Sequence, residues 1–373
     1  MTDLPNQSVC FVSLSAYGYF NPGRIVTGGG AERQLYLLGQ QLREDFDVQF
    51  VVGDYGQPRT ERRNGVKLHR SYRQDPDASV PARIGQVWKL FDAMRRADAE
   101  LYVYRGFPHK AAVVGHLAEL LGSSFVYHVS SDANVDGNVD GLPTPVVAMF
   151  GRALRRAGAV VAQSEYQRRR LQERFDIDAV VVPNGYPTAS NVEPHDDRRH
   201  VLWVGNVDES KKRPHRYLDL AEQLPGERFL LAGPDGGDEA YCDRIRSRAD
   251  GIDNATHLGE IHPDDIDRYF RDAKLLANTS PLEGFPNTFL EAWRYETPVV
   301  GLDVDPGRFV DVPESECFAD GDFERLVELV DRLASDPERR ASLGESLRRQ
   351  FEAEYSMKST AEQYRDVLSG AIQ

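Results

Sequence analysis

The chain is poor in lysine. Of its 45 basic residues only seven are lysine (Lys67, Lys89, Lys110, Lys211, Lys212, Lys274 and Lys358), and the rest are arginine. Cysteine is scarce too: Cys10, Cys242 and Cys317 are an odd number without ligand-like spacing. This argues against a disulfide scaffold and a cysteine-built metal site, and favours a reducing, cytoplasmic compartment. No run of 18 apolar residues occurs, so no transmembrane segment is expected. The opening MTDLPNQSVCFVSL lacks the basic start and apolar stretch of a secretory leader. Positive charge is in deficit, with a net charge of −14. Such a chain repels phosphodiester backbones, so no nucleic-acid partner is expected, and broad attraction to anionic membranes is disfavoured. The Gly-x-Gly-x-x-Gly fingerprint is missing, because Gly28-Gly29-Gly30 is followed by Arg33, and a nicotinamide dehydrogenase is therefore disfavoured.

What is present describes a folded protein. The 373 residues suggest two domains, and 40% hydrophobic with 10% aromatic content suits two packed cores. Little lysine with excess acid matches a halophilic, high-salt cytoplasm. A genome rich in G and C gives the same arginine bias, and both readings stand.

Strand-length apolar runs alternate with helical periodicity. Expected strands fall at 9–14, 48–52, 66–69, 101–104, 125–129, 160–163 and 179–182. Expected helices between them fall at 31–42, 84–96, 111–121, 143–157 and 166–175. After the turn-rich Pro183-Asn184-Gly185-Tyr186-Pro187 the pattern restarts, with strands at 201–204, 228–232, 256–258, 275–278 and 299–302. The helices expected there are 216–223, 240–249, 263–272, 287–294, 322–333 and 337–351, with a last one at 359–372. Repeated strand–helix units imply parallel sheets covered on both faces. The fold class is α/β: two tandem Rossmann-like doubly wound domains, expected to face across a cleft. The divisions are 1–187, 188–355, and a C-terminal helix in 356–373 expected to pack back on the first domain.

The segment Ser280-Pro281-Leu282-Glu283-Gly284-Phe285-Pro286-Asn287-Thr288-Phe289-Leu290-Glu291-Ala292 carries the strongest chemical signal. A Gly/Pro-rich loop opening a helix offers backbone N–H groups to a phosphate. Glu283 and Glu291 can reach one pocket, where carboxylates accept hydroxyl hydrogen bonds. The alternative leaves Glu291 on a solvated face. Lys211-Lys212-Arg213 is either a phosphate-binding cation cluster or a solvated basic turn. Gly29 and Gly30 precede a helix start suited to close ligand approach. His128 ends a strand, where it is a polar contact or a stabiliser of developing charge, or a satisfied structural histidine. Arg105 also follows a strand and is a candidate phosphate contact. Asp132 and Asp136 read as a solvated acidic loop. The Asp303-Val304-Asp305 triplet has metal-like spacing but reads as loop, and no metal is expected.

These motifs resemble those of retaining glycosyltransferases of family 4, which have the GT-B arrangement of two Rossmann-like domains. The Glu-x7-Glu pattern with Gly-Phe-Pro after the first Glu matches Glu283-Gly284-Phe285-Pro286 and Glu291-Ala292. Pro183-Asn184-Gly185, Ala232-Gly233-Pro234, Leu258-Gly259 and Pro298-Val299 match flanking turns, and the resemblance covers most of the chain. It implies transfer of a sugar, with retention, from a nucleotide-diphosphate-sugar co-substrate to a glycan, lipid-linked or other hydroxyl acceptor, with no other cofactor. Catalytic roles then fall to Glu283, Lys212 and His128. Donor binding falls to Gly205, Asn206, Lys212, Gly284, Phe285, Pro286, Asn287, Thr288 and Glu291, with Glu291 on the ribose. The acceptor or phosphate side holds Gly29, Gly30 and Arg105. Asn206 stands where the family carries Arg, which removes one expected phosphate cation and leaves Arg213 or a first-domain arginine as its substitute. Membrane contact, if made, is peripheral, at the inner face. The rivals are a nucleotide-sugar epimerase of the same fold and a non-catalytic nucleotide-sugar-binding partner of a transferase.

Overall fold

The computed structural model describes residues 7–21, 29–75, 77–262 and 265–372. Two compact units divide the chain: Met1–Gly185 with Met357–Gln373, and Tyr186–Ser356. The first joint therefore falls after Gly185, within the turn-rich segment. The last helix, Met357–Ile372, belongs to the first unit.

In the first unit the strands are β1 (Ser8–Val12), β2 (Asp47–Val52), β3 (Thr60–Arg63), β4 (Val66–Arg70), β5 (Leu101–Arg105), β6 (Ser124–His128), β7 (Ala159–Ala162) and β8 (Val180–Val181). They form one sheet in the order β3-β4-β2-β1-β5-β6-β7-β8. Every pairing is parallel except β3 with β4. Apolar residues occur on both sides of the strands because both faces are covered. Along β1, Cys10 and Val12 join one core with Leu90, Met94, Val114 and Phe150 of the helices Val80–Ala97, Pro108–Leu121 and Thr144–Arg156. Val9 and Phe11 join the opposite core with Leu35 and Leu38 of the helix Gly30–Gln41, and Tyr364 and Leu368 of the last helix. That split follows from the two-residue period of a strand.

The second unit repeats the plan with β9 (His200–Val204), β10 (Phe229–Ala232), β11 (Ala255–Gly259), β12 (Ala273–Asn278) and β13 (Val299–Gly301), all parallel, in the order β11-β10-β9-β12-β13. Its core gathers Val201, Trp203, Tyr217, Phe229, Leu275, Leu326 and Val330.

Strand order reverses between β1 and β5 in the first sheet, and between β9 and β12 in the second. At such a switch point the connections after the two strands leave in opposite directions and open a crevice at their carboxyl ends. Each unit thus has one position that topology alone favours for a ligand.

Candidate functional site

In the second unit, Gly205 to Arg213 follow β9 and Thr279 to Pro286 follow β12, so both segments lie at the carboxyl ends flanking the switch point. The first segment is a built turn. The Asp208 carboxylate accepts from the backbone N–H groups of Ser210 and Lys211, each at 2.9 Å. Trp203 Nε1 donates to Thr279 Oγ1 at 3.0 Å, and that hydroxyl donates to the Lys212 carbonyl at 2.8 Å. The Thr279 hydroxyl thereby ties the two segments together. Across this seam the Lys212 ammonium pairs with the Glu283 carboxylate. Lys212 keeps 30% of its side-chain surface exposed and Glu283 keeps 13%. A half-exposed cation with an already fixed backbone is available to an incoming anion.

The loop after β12 is anchored by aromatic packing. The Phe285 ring meets Phe309 at 5.3 Å and Tyr355 at 5.6 Å between centroids. Phe285, expected at the donor, is therefore seated in an aromatic cluster that fixes the loop. Pro286 precedes the helix Asn287–Trp293, whose first N–H groups lack intrahelical acceptors by position. Glu291 is buried within this helix, which removes the solvated-face alternative. Gly284, Asn287 and Thr288 are partly exposed around its start, and Asn206 is exposed beyond β9. The guanidinium of Arg213, offered as the substitute for the missing cation, pairs with Asp303 and donates from Nε to the Thr279 carbonyl at 3.0 Å. Asp305 of the same triplet accepts from Gly307 N at 2.7 Å.

In the first unit, a cavity of about 780 Å³ opens at the other switch point. Its lining includes Ser13 beyond β1, Gly29, Gly30 and Glu32 at the start of the helix Gly30–Gln41, and Arg105, Gly106 and Phe107 at the end of β5. Gly28 lies outside the described residues. Glu32 reaches back to Gly29 N at 2.9 Å, a helix-start contact. The Arg105 guanidinium is buried and donates to Asn184 Oδ1 at 2.7 Å. Arg83, His109 and Lys110 also line the space. Burial, then the neighbouring Lys110 and Arg83, lowers the His109 pKa below its ordinary value. Burial also pulls the Lys110 ammonium below its usual range, against the opposing pull of Glu32. The charged lining is three cations, Arg83, Arg105 and Lys110, against Glu32 and Asp75.

His128 is not part of that lining. Its ring is buried at the end of β6, with Nδ1 hydrogen-bonded to the Tyr364 hydroxyl of the last helix. Desolvation, reinforced by Arg105, drives its pKa well down, so the imidazole is neutral at ordinary pH. Asp132 and Asp136 serve neighbouring groups: Asp132 accepts from Gln167 at 2.9 Å and Asp136 from Arg170 at 2.7 Å.

Models of two families match these two units. Residues 187–350 match "Glycosyl transferases group 1", and residues 29–185 match "Glycosyl transferase 4-like domain". The chain belongs to the group 1 glycosyltransferases. Among curated proteins it is 26% identical to a trehalose synthase of Pyrococcus horikoshii over 207 residues, 54% of this chain and 46% of that protein. The match thus spans less than half of that relative. Among solved structures it resembles a sucrose-phosphate synthase from Thermosynechococcus elongatus (TM-score 0.74, 20% identity, 98% of this chain and 100% of that one). It also resembles HepE of Anabaena in complex with UDP (TM-score 0.73, 15% identity, 97% and 100%). At these identities the likeness describes the fold: two Rossmann-like domains of the GT-B class.

Within this glycosyltransferase, the residues that sequence reading missed are the cavity's Arg83, His109 and Lys110. Lys110 carried a usable signal, since it is one of seven lysines and stands in the first turn of the helix after β5. Tyr72 and Gln74, which also line the cavity, carried none, because loop residues after β4 have no periodicity to reveal their direction.

Proposed function

We propose that this glycosyltransferase moves a hexosyl group, with retention of configuration and without a metal, from a nucleotide-diphosphate sugar to a hydroxyl acceptor. The single observation that carries the reading is the Lys212–Glu283 pair at the β9/β12 switch point, with Glu291 buried in the helix just beyond. In this reading the donor's diphosphate takes over the ammonium of Lys212. Glu283 is released to the sugar hydroxyls near the anomeric carbon, and Glu291 accepts from the ribose. The bond from the anomeric carbon to the diphosphate oxygen breaks as the acceptor oxygen bonds to the same face. The acceptor's proton leaves with the diphosphate. Lys212 and the N–H groups from Gly284 to Thr288 stabilise the growing negative charge. The acceptor lies on the first-unit side, with its polar part in the cavity beside Gly29, Gly30 and Arg105. UDP is the donor nucleotide to try first, because the fold is shared with a protein that holds it.

Two measurements check this. Calorimetric titration with UDP-, GDP-, ADP- and TDP-sugars is expected to select one nucleotide, and Glu291→Ala is expected to weaken it at least tenfold, about 1.4 kcal/mol, the scale of a lost charged hydrogen bond. Unchanged affinity in that variant rejects the ribose role. Turnover is expected to survive EDTA, since Asp303 is engaged by Arg213 and Asp305 by backbone. Loss of activity restored by a divalent ion returns those two carboxylates to the site. Detection of a transferred glycoside separates this reading from an epimerase.

A further inference from the structure

The helix Val80–Ala97 has two apolar faces. Leu90, Ala93, Met94 and Ala97 face the core. In its first half a second set points outward: Val80, Ile84 and Trp88 are 73%, 58% and 67% exposed, and Val87 is exposed as well. At 3.6 residues per turn, these four positions fall within an arc of roughly 100°. Phe91, beside Trp88 with ring centroids 6.0 Å apart, continues the strip toward the core. Isolated exposed apolar residues are ordinary, but a contiguous stripe on one helix marks a surface made for contact.

Two further observations identify what covers it. From residue 73 to residue 96 the chain carries Arg73, Arg83, Lys89, Arg95 and Arg96 against Asp75, Asp77 and Asp92, a local balance of +2 in a chain of net charge −14. Surface charge acts over a screening length of about 8 Å at physiological salt, so an approaching surface meets this local balance rather than the total. The stripe is also continuous with the first-unit cavity. Arg83, Gln86, Val87 and Leu90 line that cavity from the same helix, and Phe107, 51% exposed, lines it too. Val87 belongs to both surfaces.

We propose that the outer face of the helix Val80–Ala97, centred on Ile84 and Trp88, docks on an anionic phospholipid bilayer. Docking brings the cavity to the membrane surface, so the acceptor taken is a lipid-linked one whose polar head enters the cavity. Trp and aliphatic side chains on one face with basic residues beside them are the composition of an interfacial helix. This deepens the reading above and rests on the cavity being the acceptor side.

Trp88 supplies the probe, because Trp203 and Trp293 are buried. Adding vesicles of phosphatidylcholine with phosphatidylglycerol to the full chain is expected to shift its fluorescence to the blue and to co-sediment the protein. Ile84→Glu, at an exposed position outside the cavity lining, is expected to weaken vesicle binding roughly tenfold or more while leaving UDP affinity unchanged. Val80→Glu repeats the test at a second exposed site. The proposal is overturned if no shift and no co-sedimentation occur at low salt, or if neither variant weakens vesicle binding. It is equally overturned if sedimentation velocity finds a dimer, broken by Ile84→Glu, that ignores vesicles, since a second copy then covers the stripe. Vesicle binding lost in Ile84→Glu with a silent UDP titration upholds the docking face and rejects the donor reading instead.

Discussion

Replacing Lys212 by alanine is expected to lower kcat by roughly 30- to 150-fold, about 2–3 kcal/mol of transition-state stabilisation, with a smaller effect on donor KM. The asymmetry follows from how the site is built. Lys212 does not depend on its own side chain for placement: its carbonyl is held by Thr279, and Thr279 by Trp203. Alanine at 212 therefore removes the ammonium and leaves the loop. In the resting enzyme that ammonium is already paired with Glu283, so ground-state donor binding exchanges one anion partner for another. As the diphosphate departs it gathers charge beside the cation, and the interaction strengthens only then. An interaction stronger in the transition state than in the ground state acts on kcat. Steady-state kinetics with varied donor reads the split. A wild-type kcat with a wild-type KM removes Lys212 from the site, whereas an unchanged kcat with a raised KM reduces it to a binding residue. Glu283→Gln combined with Lys212→Ala adds the coupling: loss in the double variant well short of the two single losses combined means the pair acts as a unit.

The switch-point loops were legible because their signals are chemical and local. Glu283 and Glu291 stand out by their spacing around Gly284-Phe285-Pro286, and Lys212 by the rarity of lysine. The pairing of Lys212 with Glu283 was not legible, since it depends on β9 and β12 being neighbours across two intervening strands in the chain. Phe285 was read as a donor contact because it sits inside the motif. The packing of its ring on Phe309 and Tyr355 was not legible, since both are distant in sequence and periodicity carries no information on such contacts. The pairing of Arg213 with Asp303 was not legible either, since Asp303 lies beyond β13, far along the chain. Strand β3 escaped because Thr60-Glu61-Arg62-Arg63 has no apolar alternation, being an exposed edge. Its hairpin nonetheless had a marker: Asn64 and Gly65 both have positive φ, at 47° and 78°, as a two-residue hairpin turn requires. The first turn of the helix Val80–Ala97 was missed for a related reason. Its outward apolar residues do not share the phase of the core-facing ones, so the core periodicity begins only later.

The largest stability effect is expected at a position that touches no ligand. Gly233 follows β10 with φ at +149°, and a Cβ built there lies 1.8 Å from the Gly205 carbonyl oxygen and 2.7 Å from its carbon. Both neighbours are backbone, so no rotamer change relieves the clash. Nor is the backbone free to retreat: Gly205 N donates to the Ala232 carbonyl at 3.0 Å, and Gly233 N to the Gly259 carbonyl at 2.9 Å. These bonds stitch the ends of β9, β10 and β11. Gly233→Ala must break one of them or hold an unfavourable φ against a steric overlap. The cost is expected to exceed about 4 kcal/mol, at the high end for a point substitution. For a protein of this size that lowers Tm by roughly 10 °C. Function should fail before unfolding does, because the displaced atom belongs to Gly205, where the segment carrying Lys212 begins. UDP affinity measured well below Tm is therefore expected to fall as well. Gly237→Ala is the control, since its Cβ meets no atom within 4 Å and its φ is not positive. A Gly233→Ala protein that melts within about 2 °C of wild type, less than 1 kcal/mol on this scale, rejects the close approach of β9 and β10 and with it the geometry assigned to the Lys212 loop.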